Sequence, residues 1–295
     1  MSKELGEFLR TRRARIAPES VGIPRGDRRR VPGLRRDELA RLAGVSVEYY
    51  TRLEQGRSPN VSDSVLEAIA AALSLNDTEL DHLRTLVRPT RRARPSPRGA
   101  SKPKLRPTVQ AMLDQLDKLP AFVLGPTMDV LAHNKLADAL YDLTGADSRN
   151  MARHTFLDPK ARDFYVKWPE VARDTVAVLR LLATRHPDNT CLAGLVGELA
   201  VRSQEFRELW AHHDVKEKSF GVKELNHPLV GHLTMGYESL PLPGEQDMLL
   251  VMYVPEPGSA AAEKLALLAS WSLPEPEQGL ADSGVGLGPA DRPEE

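Results

Sequence analysis

The chain has 295 residues, a formal net charge of −1 and 41% hydrophobic residues, which is enough for two domains with apolar cores. A single cysteine, Cys191, excludes an intramolecular disulfide, and this suits a reducing compartment. No apolar signal segment and no run as long as a membrane span is present, so we expect a soluble, cytoplasmic protein without membrane contact.

Charge divides the chain into a basic half and an acidic half. Residues 1–105 carry 22 Lys and Arg against 13 Asp and Glu, whereas residues 106–295 carry 18 against 28. A basic cluster of this kind is typical of phosphate binding. Standing alone, however, a charge run is more often a solvated face, so its meaning depends on the neighbouring elements.

The first elements are a helix and a long loop. Residues 2–16 predict a helix with Leu5, Phe8 and Leu9 inward. Residues 17–33 are rich in Gly, Pro and Arg and read as a loop. Because this loop is longer than most connections in compact domains, we expect it to have a functional role.

Residues 35–56 predict two short amphipathic helices joined by a sharp turn at Ala43-Gly44-Val45. Ser46 stands where a helix N-cap belongs, and Gly44 suits a left-handed turn. This spacing is typical of a helix-turn-helix, whose second helix lies in the major groove of DNA. The alternative is an ordinary helical hairpin in a core. The arginine clusters on either side favour DNA binding.

Two further helices and a linker follow. Ser62 and Asn76 predict the starts of a fourth and a fifth helix, which gives a DNA-binding domain over residues 1–88. Residues 89–107 belong to a segment rich in prolines and basic residues, which reads as an extended linker.

The helix-turn-helix predicts how DNA is recognised. On the recognition helix, Arg52 is placed to read guanine, Glu48 a cytosine amino group and Val47 a thymine methyl group. An exposed ion pair between Glu48 and Arg52 is the alternative role of these two side chains. The remaining predicted contacts are to phosphate or the minor groove, and they come from Arg28, Arg29, Arg30, Arg36, Ser46, Tyr49 and Arg57. Solvated arginines are the alternative for the loop triplet.

Residues 108–271 predict a second domain of mixed α and β structure. A helix over 107–118, capped by Thr108, precedes strands at Ala121–Leu124 and Asp129–Ala132. Helical patterns follow at 134–143, 159–185 and 191–211, and then strands at Phe220–Leu225, Leu229–Glu238 and Met248–Val254. A last helix at 259–271 precedes the acidic tail 272–295, whose composition predicts disorder.

The chain resembles the MmyB-like transcriptional regulators of the XRE group. The likeness is carried by VPGLRRDELARLAGVSVEYYTRLEQGRSPNVSDSVLEAIAAAL, by PAFVLGPTMDVLAHNKLADAL and by LNHPLVGHLTMGYESLPLPG. It extends over roughly residues 3–258. The resemblance implies an all-α helix-turn-helix domain followed by an α+β, PAS-like ligand-binding domain, in which helices cover one face of an antiparallel sheet. It also implies a homodimer and a fatty-acid-like effector.

A fatty-acid-like ligand requires an apolar cavity with a polar group at its mouth. Phe122 and Trp168 are candidates for the cavity wall, and Asn134, Arg153 and His227 for the polar contact. Each has an ordinary alternative, which is core packing for the aromatics, a turn cap for Asn134, a surface ion pair for Arg153 and a strand-edge position for His227.

Three functions are compatible with these patterns. The first is a ligand-responsive regulator that binds an inverted-repeat operator in double-stranded DNA as a homodimer. In the second, the C-terminal domain serves dimerisation or a protein partner without a small molecule. The third is an enzyme with an appended DNA-binding domain, which is disfavoured because no catalytic motif, metal-ligand spacing or cofactor loop is present. A cytoplasmic, nucleoid-associated protein is expected.

Overall fold

The computed structural model describes residues 2–24, 31, 33–57, 61–88, 105–245 and 247–271. An all-helical N-terminal part is followed by a C-terminal part with one antiparallel sheet and helices, so the predicted fold class is confirmed. No helix in these ranges is long and apolar enough to cross a membrane. The predicted disorder of the tail 272–295 and most of the predicted linker lie outside the described residues.

The described residues of the N-terminal part form five α-helices and one short 3-10 helix. The α-helices are α1 (Ser2–Arg15), α2 (Arg36–Leu42), α3 (Val47–Glu54), α4 (Asp63–Ala72) and α5 (Asp77–Val87), and the 3-10 helix is Pro18–Val21. The predicted caps are present, because Ser62 accepts a hydrogen bond from Val65 N and Asn76 accepts one from Glu79 N. These caps satisfy backbone donors that a helix start leaves unpaired.

The core of the N-terminal part forms where α1 crosses the end of α3. Phe8, Leu39, Tyr50 and Leu53 are fully buried there. Gly6 permits the close approach, because a Cβ atom at this position would lie 2.2 Å from the carbonyl oxygen of Glu54. A larger residue at position 6 would therefore push α1 away from α3.

The C-terminal part begins with a helix, two strands and a further helix. They are α6 (Pro107–Asp114), β1 (Ala121–Leu124), β2 (Val130–His133) and α7 (Lys135–Tyr141). The prediction that Thr108 caps α6 was wrong. Pro107 is the first helical residue and Arg106 holds the cap position, since proline lacks the N–H that the first turn leaves unbonded.

Five helices then pack side by side. They are α8 (Met151–Leu157), α9 (Ala161–Phe164), α10 (Trp168–Arg185), α11 (Thr190–Arg202) and α12 (Gln204–Trp210). The pattern at 191–211 predicted one helix, but the structure has two. Ser203 ends the first and caps the second, accepting from Phe206 N at 3.1 Å.

Three strands and a helix complete the chain described. They are β3 (Phe220–His227), β4 (Gly231–Pro241), β5 (Leu249–Val254) and α13 (Ala260–Trp271). The five strands are antiparallel neighbours in the order β2-β1-β5-β4-β3. β1 therefore lies between β2 and β5, so the sheet pairs strands from the beginning and the end of the C-terminal part.

The two faces of the sheet are covered unequally. Side chains such as Phe122, Val251 and Tyr253 point into a core shared with α7, α10 and α13. On the opposite face Val109 and Leu113 of α6 belong to an apolar cluster with side chains of β1, β2 and β5, and α6 lies against β2. Helices were predicted on one face of the sheet only, so the position of α6 on the second face differs from that prediction. Farther along that second face the large apolar side chains are exposed, namely Phe220, Val222, Leu240 and Val254.

Candidate DNA-binding face and sensor domain

The turn between α2 and α3 sets the direction of the recognition helix. Gly44 adopts φ +65°, a left-handed conformation that costs glycine little. Ser46 then caps α3, with its Oγ accepting from Tyr49 N at 3.1 Å. The local sequence therefore fixes both where α3 begins and the angle at which it leaves α2.

The side chains predicted to read bases lie on the outer side of α3. Val47, Glu48 and Arg52 are exposed, whereas Tyr50 and Leu53 on the opposite side are fully buried. Within the described residues Glu48 and Arg52 form no ion pair with each other. Their polar groups are therefore available for another partner, and base contact by these side chains remains a prediction.

The side chains predicted to contact phosphate differ in their exposure and in their bonds within the protein. Ser46 and Arg57 are exposed and Tyr49 is half-buried. Arg36 is bonded within the protein, since its Nη2 lies 2.9 Å from Glu54 Oε1. The predicted contacts of Arg28, Arg29 and Arg30 lie outside the described residues.

Glu54 at the end of α3 is the centre of a buried charge cluster. Its side chain is 1% exposed and accepts hydrogen bonds from Arg13 of α1 at 3.2 and 3.3 Å and from Arg36 of α2 at 3.1 and 2.9 Å. Burial alone would raise the pKa of Glu54, but the hydrogen bonds from Arg36 and Arg13 outweigh it and lower the pKa. One carboxylate thus ties the recognition helix to both neighbouring helices.

The aromatic residues predicted for a ligand cavity are core residues of the C-terminal part. Phe122 is 1% exposed, and its ring packs against Tyr141 and Tyr253 at 6.0 and 6.1 Å between centroids. Trp168 donates its Nε1–H to Thr155 O at 2.9 Å, and the guanidinium of Arg162 lies over its ring. Both side chains border the same interior, between the sheet and the helices.

Asn134 uses its whole side-chain amide within the fold. Oδ1 accepts from Ala121 N and Ala137 N, and Nδ2 donates to Leu116 O and Leu119 O. An amide offers two donors and two acceptor positions, so this set is complete. The contacts give Asn134 a structural role, and they lend no support to its predicted ligand contact.

Arg153 and His227 are also engaged. Arg153 pairs with Glu198 at 2.9 Å across α8 and α11. His227 Nε2 lies 3.1 Å from Ala139 O, and its Nδ1 accepts from Leu229 N at 3.3 Å. The ion pair of Arg153 agrees with the alternative role that the sequence suggested for it, and the ligand roles of both residues remain predictions.

His154 is a largely buried polar side chain that the sequence did not single out, with 18% of it exposed. Its ring makes edge-to-face contacts with Tyr141, Phe164 and Tyr165. Nδ1 lies 3.2 Å from Asp158 Oδ2, while Nε2 has no hydrogen-bond partner among the described residues. Burial lowers the pKa of His154 more than Asp158 raises it, so the ring is neutral near pH 7.

A seam of ion pairs, hydrogen bonds and apolar contacts joins the two parts. Arg12 of α1 is 4% exposed, and its guanidinium reaches Asp214 Oδ1 at 3.1 Å and His213 O at 2.9 Å. Arg15 binds the same carboxylate at 2.6 Å. Leu181 of α10 belongs to the apolar core of the N-terminal part. The turn after α12 thereby contacts α1, while Val47, Glu48 and Arg52 of α3 remain exposed.

Comparison with known families identifies both parts. Residues 4–83 match a helix-turn-helix domain, and residues 105–268 match the ligand binding domain of MmyB-like transcription regulators. The second match covers more than half of the chain. The chain belongs to the MmyB-like transcription regulators. It therefore combines a DNA-binding domain with a ligand-sensing domain, as the resemblance implied. No curated protein matches the sequence of this regulator.

The families to which the regulator's two domains belong are DNA-binding and ligand-binding rather than enzymatic. Among the described residues no three His, Cys, Asp or Glu side chains are grouped as a metal site.

The cap of the recognition helix is open to a direct test. Ser46→Ala removes the acceptor for Tyr49 N, and we expect it to lower the free energy of unfolding by about 1 kcal/mol. Urea unfolding followed by circular dichroism measures the change. Ser219→Ala is a control, because Ser219 is exposed, lies in no helix and makes no side-chain hydrogen bond among the described residues. Equal effects of the two substitutions would contradict the role of Ser46.

Proposed function

We propose that this regulator binds an inverted-repeat operator as a homodimer and that a small, fatty-acid-like effector changes its affinity for DNA. The observation that carries the proposal is the recognition helix. Val47, Glu48 and Arg52 are exposed together on α3, while the sensor domain docks on other helices. A symmetric dimer presents two such helices about one DNA turn apart, which requires a symmetric operator.

The interior of the sensor domain supports an apolar effector with one polar end. The rings of Phe122, Tyr141, Phe164 and Tyr253 form a continuous apolar wall. His154 adds a buried, unpartnered nitrogen to this wall. In the neutral ring Nδ1–H donates to Asp158, so Nε2 is an acceptor. Because an unsatisfied buried polar atom is costly, an effector whose polar end donates to this nitrogen, as a hydroxyl or a protonated carboxyl group does, would be favoured at this position.

The seam supplies a route from the effector to the DNA-binding domain. Phe206 packs edge-on against Phe156 in the sensor core and stacks on Trp210. Trp210 precedes the turn whose His213 and Asp214 hold Arg12. An effector that moves α12 therefore shifts contacts to α1. It can do so only by binding the two arrangements with different affinity.

Native and denaturing mass spectra of the purified full-length regulator test the effector. The expected result is an extra mass of a few hundred daltons that is retained in the native spectrum and lost on denaturation. The native spectrum also gives the oligomeric state, where a dimer is expected. A clean apo mass, unchanged after incubation with sodium palmitate, would contradict the fatty-acid-like effector.

The alternative is a C-terminal domain that serves dimerisation without a small molecule, and one observation favours it. Phe220, Val222, Leu240 and Val254 expose apolar side chains on the partly uncovered face of the sheet. Contiguous exposed apolar surface commonly marks an interface. In this case the native spectrum shows an apo dimer, and Val222→Asp converts it to a monomer.

The seam leads to a prediction of its own. Asp214→Asn removes the carboxylate shared by Arg12 and Arg15, and we expect it to weaken docking by about 1.5–3 kcal/mol, the usual range for hydrogen bonds to charged groups. In calorimetry the two domains should then unfold in more separated transitions. Asp174→Asn is the control, since Asp174 pairs with Lys216 within the sensor domain. Unchanged transitions in the Asp214 variant would show that this carboxylate does not hold the domains together.

A further inference from the structure

A cleft of 680 Å³ opens along the seam between the DNA-binding and sensor domains. One wall is a single stripe of α1, and the other comes from α10, α12 and the turn that follows α12. The lining residues of the two walls are Lys3, Glu4, Glu7, Arg10 and Thr11, and Arg180, Arg207, Trp210, Ala211 and His213. A molecule in this cleft would touch both domains.

The cleft carries an excess of positive charge. Four cationic side chains line it, against two carboxylates. Arg207 donates to the carbonyls of Ala200 and Val201 and has no ion pair among the described residues. Lys3 makes only a long contact with Glu7, at 3.8 Å, and is 89% exposed. Exposed contacts of this kind contribute little, so these cations remain available to an anion.

Arg180 is the buried cation of the cleft and is incompletely neutralised. Its side chain is 2% exposed, and its guanidinium carbon lies 4.0 Å from the centroid of the Trp210 ring. One amino group donates to Trp210 O. The nearest carboxylate atom, Glu4 Oε1, is 3.6 Å from Nη1, and Nε has no partner among the described residues. A buried guanidinium with an unused donor is costly unless an acceptor reaches it.

Two histidines near Arg180 have pKa values below the ordinary value for histidine. His82 of α5 is buried and His213 is partly buried, and the Nδ1 of each has no partner among the described residues. The Nε2 of His213 lies 3.5 Å from Glu7 Oε2. Burial first, and the charge of Arg180 second, lower the pKa of His82 to about 3 and that of His213 to about 4. Both rings are therefore neutral near pH 7 and do not add a proton to a region already rich in cations.

We propose that this cleft is a second ligand site, which binds a small anion through carboxylate or phosphate oxygens that accept from Arg180 and Arg207. Trp210 supplies an apolar wall for the rest of the molecule. The site is separate from the interior of the sensor domain, so the proposal goes beyond the effector site described above. Because its walls belong to different domains, a bound anion stabilises their docked arrangement.

The charges of the cleft predict opposite effects for two substitutions. Arg207→Gln removes an anchoring cation and weakens anion binding about threefold, the usual scale for a partly exposed ion pair. Glu4→Gln removes a carboxylate that competes for Arg180, and strengthens binding by about the same factor. Arg202→Gln is the matched control, because Arg202 is an exposed arginine of α11 that pairs with Glu198 outside the cleft.

Calorimetric titration of the full-length protein with sodium benzoate and with sodium phosphate, at constant ionic strength, tests the site. Saturable binding of either probe, weaker in Arg207→Gln, tighter in Glu4→Gln and unchanged in Arg202→Gln, is the expected result. Benzoate alone would identify organic carboxylates as the ligand class, and phosphate alone would identify phosphate-bearing molecules. Binding of neither probe, or equal binding by all four proteins, would overturn the proposal.

Discussion

Replacing Glu54 with glutamine is expected to destabilise the DNA-binding domain by about 3–5 kcal/mol, the usual cost of breaking a buried ion pair on one side. The glutamine keeps the shape but lacks the charge, so Arg13, which is 11% exposed, loses its anionic partner. Arg36 is half exposed and can turn to water. The loss therefore falls mainly on the contact between α1 and α3, and the recognition helix loses its fixed position.

Thermal and urea unfolding of the full-length chain measure this effect. Glu48→Gln is a matched control on the same helix, because Glu48 is exposed and should change stability by no more than about 0.5 kcal/mol. The lowered pKa of Glu54 adds a pH dependence. The stability that the ionised Glu54 contributes is fully present above the ordinary pKa of a glutamate. It is lost as the pH falls through the lower pKa that Glu54 has in the folded state. Equal stability of the two variants would rule out a central role for the cluster.

The elements of the DNA-binding domain could be predicted from sequence because their signals are local. Ser46, Ser62 and Asn76 each cap a helix, accepting from a backbone N–H three residues later. The partners of Glu54 could not be predicted in this way. A carboxylate beside Leu53 reads as an ordinary polar residue, and only the folding of α1 and α2 around it brings Arg13 and Arg36 within hydrogen-bonding distance.

In the sensor domain, too, the secondary-structure elements could be predicted from local signals, whereas contacts between distant residues could not. Its strands follow from apolar runs and turns, and β1 was predicted at its observed bounds, Ala121–Leu124. Residues whose role depends on tertiary contacts could not be recognised. His154 sits among aromatic rings contributed by α7 and α9, and Asp214 pairs with arginines about 200 positions earlier in the chain. The periodicity and spacing of residues in a single sequence do not show which residues far apart in the chain are in contact.

The position of the seam restricts the ways in which an effector could change DNA binding. The sensor domain contacts Arg12 and Arg15 on α1, whereas the exposed side chains of α3 remain uncovered. An effector therefore does not need to unmask the recognition helix. In the proposed dimer, docking at the seam would instead set the separation of the two recognition helices, and half-site spacing depends on that separation.

Replacing Arg52 with alanine is expected to remove the preference for guanine at one position in each operator half-site. Arg52 is exposed on α3 one turn beyond Glu48, and a bidentate arginine–guanine contact discriminates by about 1–3 kcal/mol. Selection of binding sequences from a random DNA pool, followed by titration against the preferred site and its single-base variants, measures the loss of preference.

Arg57→Ala separates base reading from phosphate binding. Arg57 is exposed just after α3, and as a phosphate contact its loss should weaken binding to all sequences alike and lower the salt dependence by about one ion. The selected sequence should then be unchanged. If Arg52→Ala also retained the preferred sequence and only lowered affinity, Arg52 would be a backbone contact. Base reading would then have to come from Val47 and Glu48 in the first turn of the helix, which would rotate the predicted register of α3 in the groove.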